Sequence, residues 1–547
     1  MPELILGPVL RYVDETDATV WVETDAPATV EVLGHERRTF QIAGHHYALV
    51  HVAGLEPGST NEYDVRVDGE RKWPRRDSPF PPCAIRTMGG DEPAKIVFGS
   101  CRVSVPHEPP YVLSKDDDPR GREVDALYAL AHRMLGQPRE EWPTRLLMLG
   151  DQVYADEVSP EALEFIRARR DTSEPPGEEV ADFEEYTRLY WESWGEPVMR
   201  WLLSNLATAM IFDDHDVHDD WNISASWLDD YRAKPWWDDR IRGAFMSYWA
   251  YQHIGNLAPG DLHSDEMYDA ICAADDGTEM LARFAKKADR QTEGTRWSYS
   301  RDYGGVRVIV IDSRAGRVLE DGRRCMIDDD EWGWIEERLV GGHDHLVIAT
   351  SLPVLLGYGL HYLEAWNEAI CGGAWGRFGD WLGEKVRRGL DLEHWPAFGE
   401  SFERLTRRIE EVAAGKHGPA PASIVLLSGD VHHAYLAEVA FHRDAGAQSA
   451  VYQAVCSPFR NPLSTREENT VRFATSWAGH LVGRTLARSA GVGDPDLRWR
   501  FVHGPWFDNQ LATLELHERR AHLTLERTLP EEWEAPKLHE CLSRRLA

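Results

Sequence analysis

The chain has 547 residues, 42% hydrophobic and 28% charged, the balance of a globular protein too long for one small core. Sixty basic against 92 acidic residues give a formal charge of −32, a field that repels nucleic acid and anionic membranes and speaks against a long polyanionic partner. No run approaches the roughly 18 apolar residues that span a membrane, and seven scattered cysteines without a CxxC pair suggest neither a disulfide framework nor a zinc ribbon.

The N-terminus, Met1-Pro2-Glu3-Leu4, lacks a basic start, an apolar core and a twin-arginine pair, which with reduced thiols predicts a cytoplasmic location, a trimmed exported form being the alternative. Residues 1–88 read as all-β. Ala18–Glu23, Thr29–Val32 and Tyr47–Val52 are rich in β-branched residues and partly alternate. The stretch Gly54-Leu55-Glu56-Pro57-Gly58, followed by Tyr63-Asp64-Val65-Arg66-Val67, resembles the turn and strand of fibronectin type III-like sandwiches. Such a region serves by default as a packing and spacer domain. Pro74–Pro82 reads as a stiff linker.

From Lys95 onward strand and helix patterns alternate, as in an α/β domain over 89–547. Helices are predicted over 122–135 and 182–204. A hairpin is predicted from Thr295 to Arg314 with Gly304-Gly305 at its turn, and a second from Leu511–Leu516 and Ala521–Leu525. Two tryptophan-rich stretches, 217–255 and 360–400, either wall a pocket or pack beneath their own loops.

Four apolar runs end in chemistry. Arg145–Leu149 leads to Gly150-Asp151-Gln152-Val153-Tyr154, and Ala207–Phe212 to Asp213-Asp214-His215-Asp216. Ser423–Ser428 leads to Gly429-Asp430-Val431-His432-His433, and Lys95–Phe98 to Gly99-Ser100-Cys101-Arg102. Parallel strands gather their carboxyl ends at one rim, so these carboxylates, imidazoles, phenol and thiol outline a polynuclear metal centre. Asp151 has two oxygens with which to bridge two cations. Tyr154 as phenolate and Cys101 as thiolate favour ferric iron. Asp214 and Asp430, with Asp213 assisting, are hard donors suited to calcium. His432 completes the iron side, and zinc or manganese are the alternatives. His215 is the candidate general acid, with Asp216 as its orienting acceptor. Arg102 is read either as a phosphate fork or as a structural ion pair. His433, next to His432 on a strand, is expected to face away. Walker A, Rossmann and G-x-S-x-G signatures are absent from the sequence.

G-D-x-x-Y at Gly150–Tyr154, D-D-H-D at Asp213–Asp216 and G-D-V-H at Gly429–His432 resemble the blocks of the calcineurin-like metallophosphoesterase superfamily. The opening Gly-Ser-Cys-Arg, the doubled Asp before His215, and Asp430 where the wider superfamily has histidine are similar to its alkaline phosphatase D (PhoD-like) branch. The resemblance implies two mixed β-sheets flanked by helices, a centre of Fe³⁺ with Ca²⁺, and hydrolysis of small phosphate esters without a covalent intermediate. It also implies that Ser351, standing where that superfamily places a further histidine, is no ligand. The competing readings are a phospholipase D-like phosphodiesterase and a non-catalytic metal-containing binding protein.

Overall fold

The computed structural model describes residues 1–90, 92–320, 322–441 and 445–547. Two mixed sheets dominate it. In the first, parallel strands Ala207–Ile211, Arg145–Leu149 and Ala94–Gly99 lie side by side. The sheet continues antiparallel through Gln510–His517, Arg520–Arg527 and His539–Arg545. Arg145–Leu149 and Ala207–Ile211 are buried at every position, which is what a strand covered on both faces requires of its sequence. The second sheet runs Tyr299–Tyr303, Val306–Ile311, His345–Thr350, Ser423–Ser428, Ala450–Val455, Ala434–Ala440 and Arg498–Trp506, and the second to fifth of these are parallel.

The pleat divides the second sheet's side chains between two cores. Val347, Val425 and Leu427 face the first sheet and share a core with Phe98, Leu147 and Met148. Their neighbours Ile348, Ile424 and Leu426 point the other way. They lie under Trp332 and Ile335 of helix Asp329–Arg338 and Phe402, Leu405 and Ile409 of helix Gly399–Ala413. The sheets are therefore flanked by helices on the outside, as the sequence resemblance implies.

Element boundaries follow local chemistry. The helix expected from 122 begins at Ala126, because the Asp125 carboxylate accepts the Leu127 and Tyr128 N–H groups as an N-cap. The one expected over 182–204 is two, Phe183–Gly195 and Pro197–Leu203. Pro197 holds Glu196 extended at ψ 134, and the Glu196 carboxylate caps the second helix. Both expected hairpins form, as Tyr299–Tyr303 with Val306–Ile311 and Gln510–His517 with Arg520–Arg527. Trp221, Trp227, Trp237 and Trp249 are buried, so the 217–255 stretch chiefly supplies core. In 360–400, Trp366 and Trp395 are buried while Trp375 and Trp381 are exposed. Among the described residues no helix is long and apolar enough to cross a membrane.

The N-terminal region is all-β. One antiparallel sheet orders Leu4–Val13, Ala18–Thr24, His45–Val52 and Phe40–Ile42; the other orders His35–Arg38, Thr29–Val32, Val65–Val67 and Glu70–Trp73. Buried Arg11 pins this region to the rest. Its Nε donates to Thr208 O (2.9 Å), Nη1 to Tyr251 O (2.5 Å), and Nη2 to Gln252 O (2.7 Å) and Asn256 Oδ1 (3.1 Å). Trp21 Nε1 adds a hydrogen bond to Ala250 O (2.8 Å).

Candidate metal centre

Cys101 follows strand Ala94–Gly99, Asp151 follows Arg145–Leu149, Asp213 and Asp214 follow Ala207–Ile211, and Asp430 and His432 follow Ser423–Ser428. Short backbone links stitch these strand ends together. Cys101 N donates to Gly150 O (3.4 Å) within the first sheet, and Asp430 N donates to Ser100 Oγ (2.8 Å) across the two sheets. The approach is close enough that a Cβ on Gly150, at φ +114, would lie 2.8 Å from Asp213 Cβ. Only glycine fits there.

Four of the side chains that converge here stand on left-handed backbone: Cys101 (φ 56), Asp151 (φ 45), Asp430 (φ 65) and His432 (φ 51). Such conformations are uncommon for residues with a Cβ and persist where the surroundings impose them, characteristically at functional sites. Here they aim short side chains at one point.

Three groups of donor atoms each lie within 4.8 Å of one another: Cys101, Asp151 and His432; Asp151, Asp214 and His215; and Asp213, Asp214 and Asp430. Asp151 and Asp214 are shared between groups. The phenol of Tyr154 joins the first group, donating to Asp151 Oδ2 (3.3 Å) and accepting from Asn461 Nδ2 (3.3 Å). Every metal ligand expected from the sequence is thus in one cluster. Its donors suit two cations of different hardness, with sulfur, phenol and imidazole on one side and carboxylates on the other.

The electrostatics are unfinished without positive charge. Asp151 Oδ1 and Asp213 Oδ2 are buried without a hydrogen-bond partner, and Asp214 Oδ1 meets only the Arg314 guanidinium at 3.1 Å. Burial, then the neighbouring carboxylates Asp214, Asp216 and Asp430, push the Asp151 pKa well above the usual range, with His215 opposing. Burial, Asp151 and Asp430 likewise raise the Cys101 thiol, and burial, Asp151 and Cys101 raise Tyr154. Buried carboxylates that repel one another and lack donors are costly unless a cation compensates them. The residues present therefore fit metal ions, with Cys101, Asp151, Tyr154 and His432 on one side and Asp213, Asp214 and Asp430 on the other.

Two side chains that the sequence reading passed over complete the cluster. Arg314, fully buried on the turn after Val306–Ile311, hydrogen-bonds Asp213 and Glu393 and lies 3.1 Å from Asp214 and 3.6 Å from Asp430. His394 places Nδ1 2.6 Å from Glu364 and Nε2 3.2 Å from Asp430. Burial opposes the charge of Asp430, but His394 and Arg314 hold its pKa below the ordinary carboxylate range. Neither residue stands beside a strand-end motif carboxylate, and arginine at a strand end is too common to single out. The only available signal was polar residues, Asp312-Ser313-Arg314, directly after a predicted buried strand.

One expectation is corrected in detail, and three further side chains are placed. The partner of His215 is Asp156, whose carboxylate oxygens lie 3.0 and 3.1 Å from Nδ1. Asp216 instead accepts the backbone N–H of Asp213 (3.0 Å) and Gln152 (3.4 Å), and burial raises its pKa to about 7. Burial disfavours the charged form of His215, yet Asp156, Asp214 and Asp151 lift its pKa well above the imidazole value. Arg102 makes the ion pair that was one of its two readings. Its Nε donates to Asp125 (2.7 Å) and its Nη1 to Ser193 O (2.9 Å), so the guanidinium is already engaged. His433 turns its Nδ1 to Val431 O (2.6 Å) and packs on Tyr435. Ser351 pairs hydroxyls with Ser313 (2.8 Å).

Two packed mixed sheets thus release acids, imidazoles, a phenol and a thiol at one rim. Residues 128–271 match the family model of the PhoD-like phosphatases. The structure matches a solved structure of PhoD with a TM-score of 0.58 over 99% of this chain and 92% of that one, at 12% sequence identity. The chain is therefore PhoD-like in its 128–271 segment and in its whole fold. Residues 1–85 match a family model described as a domain of unknown function (DUF7800). No curated protein matches the chain.

Proposed function

We propose that the chain is a metal-dependent phosphoesterase acting on small phosphate mono- or diesters. The observation that carries this reading is the rim itself: seven metal-competent side chains from four strand ends, four on left-handed backbone, with buried carboxylate oxygens left unpartnered. In this reading Cys101, Asp151, Tyr154 and His432 hold ferric iron, and Asp214 and Asp430, with Asp213, hold calcium; zinc or manganese are the alternatives. Bound there, two such ions supply positive charge for the phosphate oxygens and a source of hydroxide at neutral pH.

The chain's own residues do the rest. His215 is the general acid for the leaving oxygen, and Asp156 fixes its ring and favours the protonated form that a proton donor needs. Arg314 holds the carboxylates of Asp213, Asp214 and Asp430 in register and offsets part of their negative charge. Residues 1–88, read as a fibronectin-like module, brace residues 89–547 through Arg11.

The test is elemental analysis and a visible spectrum of the purified chain beside hydrolysis of an aryl phosphate monoester and diester. Iron and calcium with a thiolate or phenolate band, and turnover of either ester, support the reading. Zinc or manganese without the band would keep the hydrolase and discard iron. A metal-loaded chain that turns over neither ester would leave the binding-protein reading.

A further inference from the structure

A second polar cavity lies behind the turn that carries Arg314. It measures about 380 Å³ and is walled by Trp249, Met267 and Phe284, with His253, Thr295 and Glu331 inside and Gly294, Arg296 and Asp330 at its exposed mouth. That volume suits a small organic molecule.

Three buried polar groups of this cavity have no hydrogen-bond partner: both carboxylate oxygens of Glu331, His253 Nδ1 and Thr295 Oγ1. Glu331 is 3% exposed and His253 7% exposed. Burial and Asp312 disfavour the charge of the Glu331 carboxyl and only Ser298 stands near enough to favour it; a buried acid so poorly satisfied is destabilising, and its retention calls for a reason. His253 also ends a six-residue π-helical turn, Tyr248–His253, a local distortion that often marks a working site.

The lining says what would fit. Asp265, Asp328, Asp330 and Glu331 face one guanidinium, Arg296. Two of those acids are already committed, since Asp265 caps Tyr268 N and Asp328 caps Glu331 N (2.9 Å each). Arg296 lies over the Trp334 ring at 4.6 Å. Of the other two, Asp330 stands exposed at the mouth, so Glu331 is the acid inside that is left as a hook for positive charge, beside the aromatic walls Trp249 and Phe284. Among the described residues the sets of three convergent metal donors all belong to the rim cluster, none to this cavity. A compact metal ion is therefore a poor fit, and an organic cation, which uses both a carboxylate and aromatic faces, a good one.

We infer that this cavity is a binding site for a small organic ammonium, its nitrogen on the Glu331 carboxylate and its carbon portion between Trp249 and Phe284. The place matters because Glu331 backs onto the Arg314 turn. A Cβ on Gly316 would lie 3.0 Å from Glu331 Oε2, and Asp312 holds the same turn by accepting the Arg314, Ala315 and Gly316 N–H groups (2.8, 3.0 and 3.1 Å).

The experiment is calorimetric titration of the metal-loaded full chain with benzylamine, and with benzyl alcohol as its uncharged counterpart, while tryptophan fluorescence is recorded. The wild type is expected to bind benzylamine and to respond in fluorescence, with benzyl alcohol weaker by about tenfold or more. Glu331→Gln is expected to weaken benzylamine by a similar factor and to raise the ligand-free Tm, since it removes a buried acid without partners. Phe284→Ala should weaken benzylamine while leaving the preference for charge. Equal binding of the two probes, undiminished benzylamine binding by Glu331→Gln, or no binding of benzylamine at all would each overturn the assignment.

Discussion

Two fully buried arginines show how differently this protein uses one side chain. Arg11 crosses from the N-terminal sheets into the body of the chain and meets only neutral acceptors, three backbone carbonyls and the Asn256 amide oxygen. Burial and the nearby charge of Arg301 lower its pKa to about 9. Arg314 sits at the rim among Asp213, Asp214, Glu393 and Asp430. Burial works against its charge, but those carboxylates raise its pKa well above the ordinary value. One guanidinium closes a hydrogen-bond account at an interface. The other offsets an excess of negative charge that remains unbalanced even so. The lesson is that burial alone does not reveal the role of an ionic group; the charge of its partners does.

Five changes break or sharpen that contrast. The largest effect is expected at the rim from Asp151→Asn, which leaves both donor groups it shares one carboxylate short. Hydrolysis of an aryl phosphate should fall by roughly a thousandfold or more, with less metal per chain by elemental analysis. Unchanged metal content and turnover would remove Asp151 from the centre.

Next come the two arginines themselves. Arg314→Met should cost about 3–5 kcal/mol of metal-free stability by denaturant unfolding, and the deficit should shrink once metals are loaded. Arg11→Met should cost about 2–4 kcal/mol whether or not metals are present. A deficit that responds to metal in both variants, or in neither, would erase the distinction.

A smaller effect is expected from Asp156→Asn. It should slow release of poor leaving groups by about 10–100-fold while leaving metal content unchanged. Equal slowing for activated and unactivated esters would show that His215 is not the proton donor.

The smallest concerns the interface again, where His45 lies 2.7 Å from Glu23 and 2.9 Å from Glu184. Burial opposes its charge, but hydrogen bonds to Glu184 and Glu23 and their charges raise its pKa from 6.5 to about 9. A raised folded-state pKa stabilises fully below pH 6.5 and loses that contribution as pH rises through 9. His45→Gln should therefore remove about 1 kcal/mol or less of stability at pH 6, after screening at this half-buried site, and almost none at pH 10. Urea unfolding at the two pH values checks the sign.

Much of the site was legible because its ligands sit where strand periodicity breaks. A glycine or polar residue ending an all-apolar run fixed Cys101, Asp151, Asp214 and Asp430 as rim residues before any distance was known. What stayed hidden depends on how distant loops fold back. Asp156 lies five residues beyond Asp151, yet it rather than adjacent Asp216 meets His215, because the Asp216 carboxylate is turned inward to cap backbone N–H groups. Arg102 looked available for phosphate only while the N-cap at Asp125 was unseen. Arg314 and His394 come from the second sheet's connections, and no spacing rule ties them to the motifs they serve. The tryptophans of 217–255 proved mostly core because that stretch folds into helices, Ala225–Arg232 and Trp237–Ser247 among them, that each bury a face.

The pairing of Ala94–Gly99 with Gln510–His517 has a consequence for how the protein is made. The strand that delivers Cys101 emerges early from the ribosome, but its antiparallel neighbour is translated more than 400 residues later. Until then one edge of that strand is open, and such long-range pairing forms slowly. Asp430, too, is absent until late in synthesis. A nascent chain therefore offers scattered thiols and acids to the metals around it, and the full ligand set assembles only when nearly the whole polypeptide has been released. In the proposed reading, selection of the right ions is thereby deferred from the growing chain to the finished fold.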